Sequence, residues 1–324
     1  MQVVILGGAG FLGRKVAAKL AEDGHIGGTP ITGMTLFDLE SPPAPKAKFS
    51  VTAQSGDIAD LPEEAVPDGT RVIFHLAAVV SAAAEADYDL GRRVNLRGTD
   101  SVIDAARRLA TPPRVVFTSS VASFSGGQGV VLGDDARQLP ANSYGAQKAA
   151  AELILADATR RGFLDAVSIR LPTIVVRPGR PNKAASSFLS AIIREPLLGL
   201  PTGLPVARDF AAWIASPRRA VDWLVHAAAL DGTRLGADRS INPPGLCARV
   251  DEMLAALEAV HPGAADLVRP VDDPGIAAIV GGWPAAFSPA RALALGFSPH
   301  ESLQALVEAF VEDDLAATKA ERGY

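Results

Sequence analysis

Three glycines at a spacing of three directly follow a short apolar run, and this arrangement constrains the fold more than any other feature of the chain. Residues 3–6 are all β-branched or apolar, a composition typical of a strand buried on both faces of a parallel sheet. The glycines are Gly7, Gly10 and Gly13, and residues 14–23 after them have a helical composition. The order strand, tight turn, helix predicts the first unit of an α/β fold.

In a turn of this kind each glycine has its own physical role. The first permits a tight reversal, the second lets the backbone approach a pyrophosphate, and the third lets the helix pack closely on the strand. Phosphate oxygens then meet free N–H groups at the positive end of the helix dipole. The position of the turn predicts dinucleotide binding, and the alternative is a turn that only packs the helix. The expected cofactor contacts are Gly7, Gly10, Phe11, Leu12 and Gly13.

Acidic residues end the next two strand-like runs. Asp38 follows residues 34–37, at the place where a carboxylate can accept hydrogen bonds from both ribose hydroxyls of adenosine. Together with Glu40 it would repel a 2′-phosphate, which favours NAD over NADP. The alternative for Asp38 is a solvated acid at a strand end. Asp57, followed by Ile58, could reach the adenine amino group, and a turn-forming role for Asp57 stays open.

Composition limits the class of protein. The chain has 324 residues, of which 48% are hydrophobic and 21% charged, so it can bury a large core and is not disordered. The formal net charge is −5, and no basic cluster alternates with aromatic residues, which argues against nucleic-acid binding. The single cysteine, Cys247, excludes an internal disulfide and a cysteine-based metal cluster, so we expect an inert thiol and no metal site.

Hydropathy indicates a protein outside the membrane. No apolar run reaches the roughly 18 residues that a bilayer span requires, and the nearest, residues 72–84, contains His75 and Ser81. The amino-terminal run has no positively charged start and leads straight into the glycine turn, so we interpret it as a strand and not as a secretory signal. We expect a soluble, cytoplasmic protein with no membrane partner.

Strand-like and helical patterns alternate through the first half of the chain. The strand-like runs are residues 3–6, 34–37, 49–54, 72–76, 115–118 and 167–171. This repetition predicts an α/β, Rossmann-type, doubly wound parallel sheet with helices on both faces and ligands at the carboxyl ends of its strands. From Arg177 onward frequent prolines break the pattern. We therefore expect a dinucleotide-binding domain of residues 1–174 and a smaller substrate lobe of residues 175–324.

The second half carries weaker patterns. Residues 240–242 are a candidate for a strand that returns to the main sheet, and residues 251–260 and 302–311 form amphipathic helical patterns. Residues 318–324 are expected to fray.

Tyr144 and Lys148 are four residues apart at the start of a helical pattern over residues 143–161. This spacing places the phenol and the ammonium on one face of the helix. A tyrosine that acts as a base near neutrality needs its pKa lowered by about 3 units, on the order of 4 kcal/mol. A unit charge about 4 Å away contributes roughly that much at an effective dielectric of about 20, so we assign part of the shift to Lys148. The alternative is a surface pair.

Two serines complete this candidate catalytic group. Ser119 and Ser120 follow an apolar strand-like run, so they lie where a hydroxyl can hold the reacting oxygen of a substrate. Alternation along a strand sends the two side chains to opposite sides. Ser120 is the first candidate and Ser119 the second.

The order of these motifs resembles the extended short-chain dehydrogenase/reductase family over essentially the whole chain. Further matching segments are His75-Leu76-Ala77-Ala78, Asn95-x-x-Gly98-Thr99 and Arg170-Leu171-Pro172-Thr173. The resemblance implies hydride transfer with NAD, with Tyr144 as acid and base, Ser120 orienting the substrate and Lys148 also binding the nicotinamide ribose. It also implies cofactor contacts from Leu76, Ala77, Ala78, Pro172 and Thr173, and a homodimer formed through helices near residues 100–109 and 149–159.

Two residues of these segments have open alternatives. The resemblance places Asn95 with the cofactor-binding residues, as a group that helps to hold the catalytic centre, and a helix-bending hydrogen bond is the alternative. For His75 the alternative is a satisfied histidine in the core.

The polar residues expected near the nicotinamide predict a small polyhydroxy acid as substrate, because arginine or lysine can pair with a carboxylate while serine and asparagine bind hydroxyls. A solvated basic loop is the alternative. Residues 177–188 resemble a branch of the family, which implies oxidation of the C2 hydroxyl of a four-carbon sugar acid. The candidate substrate contacts are Ser81, Ser120, Tyr144, Asn182, Lys183 and Ser187.

Two other functions stay open. A nucleotide-sugar epimerase or dehydratase would need cations for a second pyrophosphate, for which the candidates are Arg208, Arg218, Arg219 and Arg239. Phe124 argues against it, since many family members have tyrosine at that place. A cofactor-sensing protein without turnover would not need the Tyr144 and Lys148 pair.

Overall fold

The structure, a computed structural model, describes residues 1–180, 185–300 and 302–324. The strands are β1 Gln2–Leu6, β2 His25–Ile26, β3 Thr29–Pro30, β4 Gly33–Asp38, β5 Ser50–Ser55, β6 Thr70–His75, β7 Arg114–Ser120, β8 Val131–Leu132, β9 Asp165–Leu171, β10 Thr173–Ile174, β11 Thr202–Leu204, β12 Ala211–Ala215, β13 Ser240–Ile241, β14 Leu246–Arg249, β15 Val268–Pro270 and β16 Ala286–Phe287.

The helices follow the same order along the chain. They are α1 Phe11–Asp23, α2 Ser81–Ala86, α3 Tyr88–Arg92, α4 Gly98–Arg108, α5 Ser143–Arg160, α6 Ser187–Leu197, α7 Pro217–Ala229, α8 Val250–Val260, α9 Pro274–Gly281, α10 Ala290–Ala294, α11 Leu303–Phe310 and α12 Ala316–Arg322. Shorter 3₁₀ turns include Ile58–Asp60 and Val121–Ser123, and π-helical segments cover Arg93–Arg97 and Val311–Leu315.

The main sheet has the strand order β13-β9-β7-β6-β1-β4-β5 within the described residues. Each neighbouring pair is parallel. The chain winds outward in one direction from β1 through β4 to β5, and in the other from β6 through β7 to β9. The winding therefore reverses between β1 and β6, where a doubly wound sheet binds its ligands. The predicted fold class and the predicted returning strand at residues 240–242, here β13, are confirmed.

Residues 3–6 of strand β1 are all apolar because both faces of the sheet are covered. Val3 and Ile5 belong to a core that α1 and α7 close with Leu20 and Trp223. Val4 and Leu6 belong to the opposite core, which includes residues of α4 and α5. Since successive side chains of a strand point to opposite faces, a strand with two buried faces needs an unbroken apolar run.

A further core lies beyond the main sheet. The main core includes Ile174, whereas Val175 and Val176 belong to this further core, which is built around α6, α8 and α11. The chain returns to the main sheet through α7 and β13. The division into residues 1–174 and 175–324 stays a prediction.

The carboxyl-terminal segment differs from expectation. Residues 318–322 belong to helix α12, so the expectation that they fray is wrong. Thr318 is buried and accepts a hydrogen bond from the Gly179 N–H at 3.4 Å, and Arg322 pairs with Glu195 at 2.6 Å. These tertiary contacts order an end that local sequence does not specify. Of the described helices, none combines the length and the apolar composition that crossing a bilayer requires.

Candidate active site

The glycine turn passes so close to neighbouring backbone that side chains are excluded. Gly7 has φ +92°, and a Cβ there would lie 2.6 Å from the Ala77 nitrogen. A Cβ on Gly13 would lie 2.0 Å from the Gly7 oxygen. Gly10 is the N-cap residue of α1, and no side chain caps this helix end. The open helix terminus under a side-chain-free loop fits the diphosphate of a dinucleotide.

The two predicted acids lie at the ends of their strands but make different contacts. Asp38 accepts hydrogen bonds from the Ala9 N–H at 2.9 Å and the Leu39 N–H at 2.8 Å, so it borders the glycine turn. Asp57 accepts from the Ala59 N–H at 2.8 Å and pairs with Arg93 at 2.5 Å. The turn-forming role left open for Asp57 is therefore present. Its neighbour Ile58 is buried in the core beside α4.

A cavity of about 390 Å³ runs from the glycine turn to the candidate catalytic residues. Among the predicted cofactor contacts, those that line it are Gly7, Gly10, Phe11, Leu12, Gly13, Leu76, Ala78, Tyr144, Lys148 and Pro172. The predicted contacts outside its lining are Asp38, Asp57, Ile58, Ala77, Asn95 and Thr173. Ser187 lines this cavity as well.

Ser120 and Ser119 point in different directions, as strand alternation predicts. The Ser120 side chain faces the Tyr144 hydroxyl and acts to lower its pKa, and its Oγ accepts from the Ala122 N–H at 3.1 Å. The Ser119 hydroxyl is buried and bonds to Glu152 of α5. Of the two serines, Ser120 therefore contacts the phenol in this structure.

Burial dominates the electrostatics of the catalytic pair. It raises the pKa of Tyr144, while the charge of Arg177 and the hydrogen bond with Ser120 act in the opposite direction. Burial lowers the pKa of Lys148 to about 7. The Lys148 ammonium donates to the Thr118 carbonyl at 2.7 Å and lies 5.6 Å from the centre of the Tyr144 ring. The cation that lowers the phenol pKa here is thus Arg177, and not Lys148 as the spacing of four residues predicts.

A buried ionic network fixes α5 against the sheet. Glu152 accepts from Arg170 of β9 through Nε at 3.0 Å and through Nη2 at 2.8 Å, in addition to its contact with Ser119 of β7. Gln138 donates to the same carboxylate at 3.0 Å. Because a carboxylate that receives several donors is held in one orientation, the network sets the position of the helix that carries Tyr144.

Asn95 joins the loop after β6 to the catalytic helix. Its side chain accepts from the Val79 N–H at 2.9 Å and donates to the Val79 carbonyl at 2.9 Å. It also donates to Gln147 of α5 at 2.7 Å. In the same region the His75 ring lies 3.0 Å from the Thr99 hydroxyl and is buried. Asn95 thus links the loop after β6 to helix α5 through its side-chain hydrogen bonds.

A second cavity of about 790 Å³ begins at Tyr144 and Ser120 and opens away from the glycine turn. Ser81 and Thr173 contribute polar groups to it, and Arg177 lines both cavities. Large apolar side chains form much of the remaining wall, namely Phe210, Trp213, Ile276, Ile279 and Trp283. The candidate substrate residues Asn182 and Lys183 lie outside the described residues.

Two further kinds of site were considered from the sequence, namely a second pyrophosphate site and a metal site. The cations considered for a second pyrophosphate, Arg208, Arg218, Arg219 and Arg239, line neither cavity. Arg218 instead pairs with Glu312 and Asp313 on the surface. In the part of the chain that the structure describes, no group of three or more His, Cys, Asp or Glu is arranged to hold a metal ion.

Comparison with known proteins agrees with the predicted family. Residues 3–213 match the NAD dependent epimerase/dehydratase family. The chain is 46% identical over 320 residues to a D-erythronate dehydrogenase from Cupriavidus necator, which covers 97% of this chain and 98% of the relative. It is 38% identical over 319 residues to a D-erythronate dehydrogenase from Haemophilus influenzae, with 97% and 100% covered.

Solved structures share the fold of this chain. A nucleoside-diphosphate-sugar epimerase from Agrobacterium tumefaciens superposes with a TM-score of 0.92 at 43% identity, over 98% of this chain and 95% of that one. An L-threonine dehydrogenase from Cupriavidus necator has a TM-score of 0.81 at 21% identity, over 98% of this chain and 99% of that one, which shows a shared fold.

The sheet, the glycine turn and the Tyr144 and Lys148 pair define an oxidoreductase of the extended short-chain dehydrogenase/reductase type. The chain belongs to the NAD dependent epimerase/dehydratase family, as its motifs predict, and it is a dehydrogenase that uses a nicotinamide cofactor.

Proposed function

We propose that the protein oxidises the C2 hydroxyl of D-erythronate to 2-oxo-D-erythronate with NAD. The observation that carries the proposal is the position of Tyr144 and Ser120 together at the junction of the two cavities, beside the Arg177 cation. Two relatives that match over nearly the whole chain have the name of this activity. A cation next to the reacting hydroxyl suits an acidic substrate.

In the proposed reaction Tyr144, in its phenolate form, accepts the proton of the C2 hydroxyl. Ser120 donates a hydrogen bond to the same oxygen and holds it near the phenol. When bound, NAD supplies the acceptor for the hydride that leaves C2, so the products are a 2-oxo acid, NADH and the proton on Tyr144. Arg177 contributes positive charge that favours the phenolate form of Tyr144.

The substrate contacts beyond the reacting carbon are also proposals. Ser81 borders the second cavity and would bind a hydroxyl or the carboxylate end of the acid. Ser187 lines the first cavity and would bind a hydroxyl. Asn182 and Lys183 keep the role of carboxylate contacts on the basis of the sequence alone.

The preference for NAD over NADP depends on Asp38. Its carboxylate lies beside the glycine turn, bonded to the Ala9 N–H, where it would accept from the adenosine ribose hydroxyls and repel a 2′-phosphate. Gly7, Gly10 and Gly13 would admit the diphosphate. Asn95 would act by holding the loop of Leu76, Ala77 and Ala78 in place.

We also propose a homodimer formed through α4 and α5. Leu153 and Ile154 of α5 are 70% and 37% exposed, and adjacent apolar side chains on an open helix face are typical of an interface. Light scattering after gel filtration should give twice the chain mass for the wild type and the chain mass for Leu153→Asp. A monomeric wild type would reject the dimer.

The test of the proposed reaction is NADH formation at 340 nm with NAD and a panel of four- to six-carbon sugar acids. We expect D-erythronate to be oxidised, and Tyr144→Phe to lose at least about 10³-fold in kcat while it still binds NAD. Tyr88→Phe is the matched control, since Tyr88 is exposed on α3. Wild-type rates in Tyr144→Phe would reject the mechanism.

A nucleotide-sugar activity is the second candidate, because the second cavity is large and one similar solved structure is named an epimerase. Conversion of UDP-sugars without net NADH formation would favour this function, and their inertness alongside D-erythronate oxidation would reject it.

A further inference from the structure

Arg177 occupies the junction between the two cavities. It follows the buried residues Val175 and Val176 and lines the cofactor cavity as well as the larger one. Tyr144 lines the same two cavities. The guanidinium therefore lies beside the group that handles the proton of the substrate.

The backbone of Arg177 is held on both sides by α6. Its N–H donates to the Ser190 hydroxyl at 3.0 Å, and its carbonyl accepts from Arg194 at 2.7 Å. Arg194 is almost fully buried and bonds to Glu195 at 2.8 Å, which in turn pairs with Arg322. A residue anchored in this way presents its side chain with little loss of freedom when a ligand binds.

The Arg177 guanidinium has no ion-pair partner among the described residues. Across residues 1–180, 185–300 and 302–324, no carboxylate forms an ion pair with it. Burial lowers its pKa, and its strongest compensating interaction is with Tyr144. Arg177 is half-buried, and a partly desolvated cation without a carboxylate partner favours the binding of an anion supplied from outside.

A 2-hydroxy acid supplies that anion at the right place, since its carboxylate carbon is bonded directly to the carbon that carries the reacting hydroxyl. When Tyr144 and Ser120 hold the hydroxyl, the carboxylate therefore lies next to Arg177. We infer that Arg177 binds the substrate carboxylate and thereby selects 2-hydroxy acids over uncharged polyols. This inference rests on the proposed function and makes Arg177 the main contact of the carboxylate, ahead of those proposed for Asn182 and Lys183.

The test compares a charged and an uncharged substrate in the same enzymes. We expect Arg177→Gln to lower kcat/KM for D-erythronate by about 100- to 1000-fold more than for the uncharged D-erythronamide, since loss of the charge beside Tyr144 slows both substrates alike. The preference for the acid over the amide should therefore nearly disappear. Arg177→Lys keeps the charge but not the paired donors, so it should recover part of the preference.

Two further measurements guard against loss of the fold. The dissociation constant of NAD should change little in Arg177→Gln, and inhibition by oxalate should weaken at least about 30-fold. Arg208→Gln, which lies outside both cavities, is the matched control for loss of a positive charge. Thermal unfolding of all variants should be comparable.

The outcomes separate the inference from the proposed function. An unchanged preference for D-erythronate in Arg177→Gln would overturn the inference while the reaction stands. Weakened NAD binding with unchanged preference would also overturn it and would assign the guanidinium to the diphosphate. Failure of the wild type to oxidise D-erythronate, with oxidation of another 2-hydroxy acid that depends on Arg177, would reject the named substrate alone. Inactivity toward all 2-hydroxy acids would reject both.

Discussion

Gly145 meets the carbonyl of Ala122 so closely that a Cβ on Gly145 would lie 2.0 Å from the Ala122 oxygen. Gly145 is in the first turn of α5, and Ala122 is in the 3₁₀ turn that follows β7. The absence of a side chain lets the helix start approach the end of the strand. This approach brings the phenol of Tyr144 to the hydroxyl of Ser120.

Gly145→Ala should therefore disturb both stability and catalysis. Helix propensity alone would favour alanine by about 1 kcal/mol, but the overlap with Ala122 forces a backbone shift that we expect to lower the free energy of unfolding by about 2 kcal/mol. We expect kcat to fall more than tenfold as the phenol and the serine separate. Urea unfolding and the NADH assay measure the two effects.

Gly281→Ala is the control for this substitution, because a Cβ there would meet no atom within 4 Å. It should leave the free energy of unfolding within about 0.5 kcal/mol of the wild type. A Gly145→Ala enzyme that is more stable than the wild type and equally active would contradict the steric argument.

The Glu152 network offers a test of buried against exposed ion pairs on one helix. Glu152→Gln leaves the buried guanidinium of Arg170 without its carboxylate, and we expect a loss of about 3–5 kcal/mol in the free energy of unfolding. Asp157→Asn removes the exposed partner of Arg160, 2.6 Å away, and should cost less than about 1 kcal/mol. Equal costs in chemical denaturation would contradict the assignment of α5 positioning to Glu152.

The main sheet was predictable because its strands are short, apolar and separated by helical patterns. The continuous apolar character of residues 3–6 follows directly from the two cores on either side of β1. The opposite directions of Ser119 and Ser120 were predictable for a similar reason, since alternation along a strand is fixed by backbone geometry.

The source of positive charge near the phenol was not predictable in the same way. A spacing of four suggested Lys148, yet the Lys148 ammonium bonds to the Thr118 carbonyl, and Arg177 approaches from a distant part of the chain. The helical order of residues 318–322 was missed because it depends on contacts such as that between Arg322 and Glu195. Local patterns carry no information on such long-range pairs, although an arginine directly after a buried apolar run is a signal worth testing.

The proposed cofactor preference can be tested by removing one charge at Asp38. Asp38→Asn keeps an oxygen that can accept from the Ala9 N–H but no longer repels a 2′-phosphate. We expect the ratio of kcat/KM for NADP to that for NAD to rise at least about tenfold. Asp68→Asn, an exposed acid outside both cavities, should leave the ratio unchanged. A ratio that is the same in Asp38→Asn and the wild type would assign the preference to another residue.

His75 should make stability depend on pH below neutrality. Burial, and then the charge of Lys148, lowers its pKa from 6.5 to about 3. Between these values the unfolded chain binds a proton that the folded chain does not, so the free energy of unfolding falls as the pH is lowered from 6.5 toward 3. From pH 6.5 to 5 this contribution amounts to roughly 2 kcal/mol. His75→Gln, which does not titrate there, should show a correspondingly smaller decrease over the same interval, whereas His25→Gln, at an exposed position, should follow the wild type. Parallel pH dependences for His75→Gln and the wild type in urea unfolding would mean that the ring becomes protonated inside the fold.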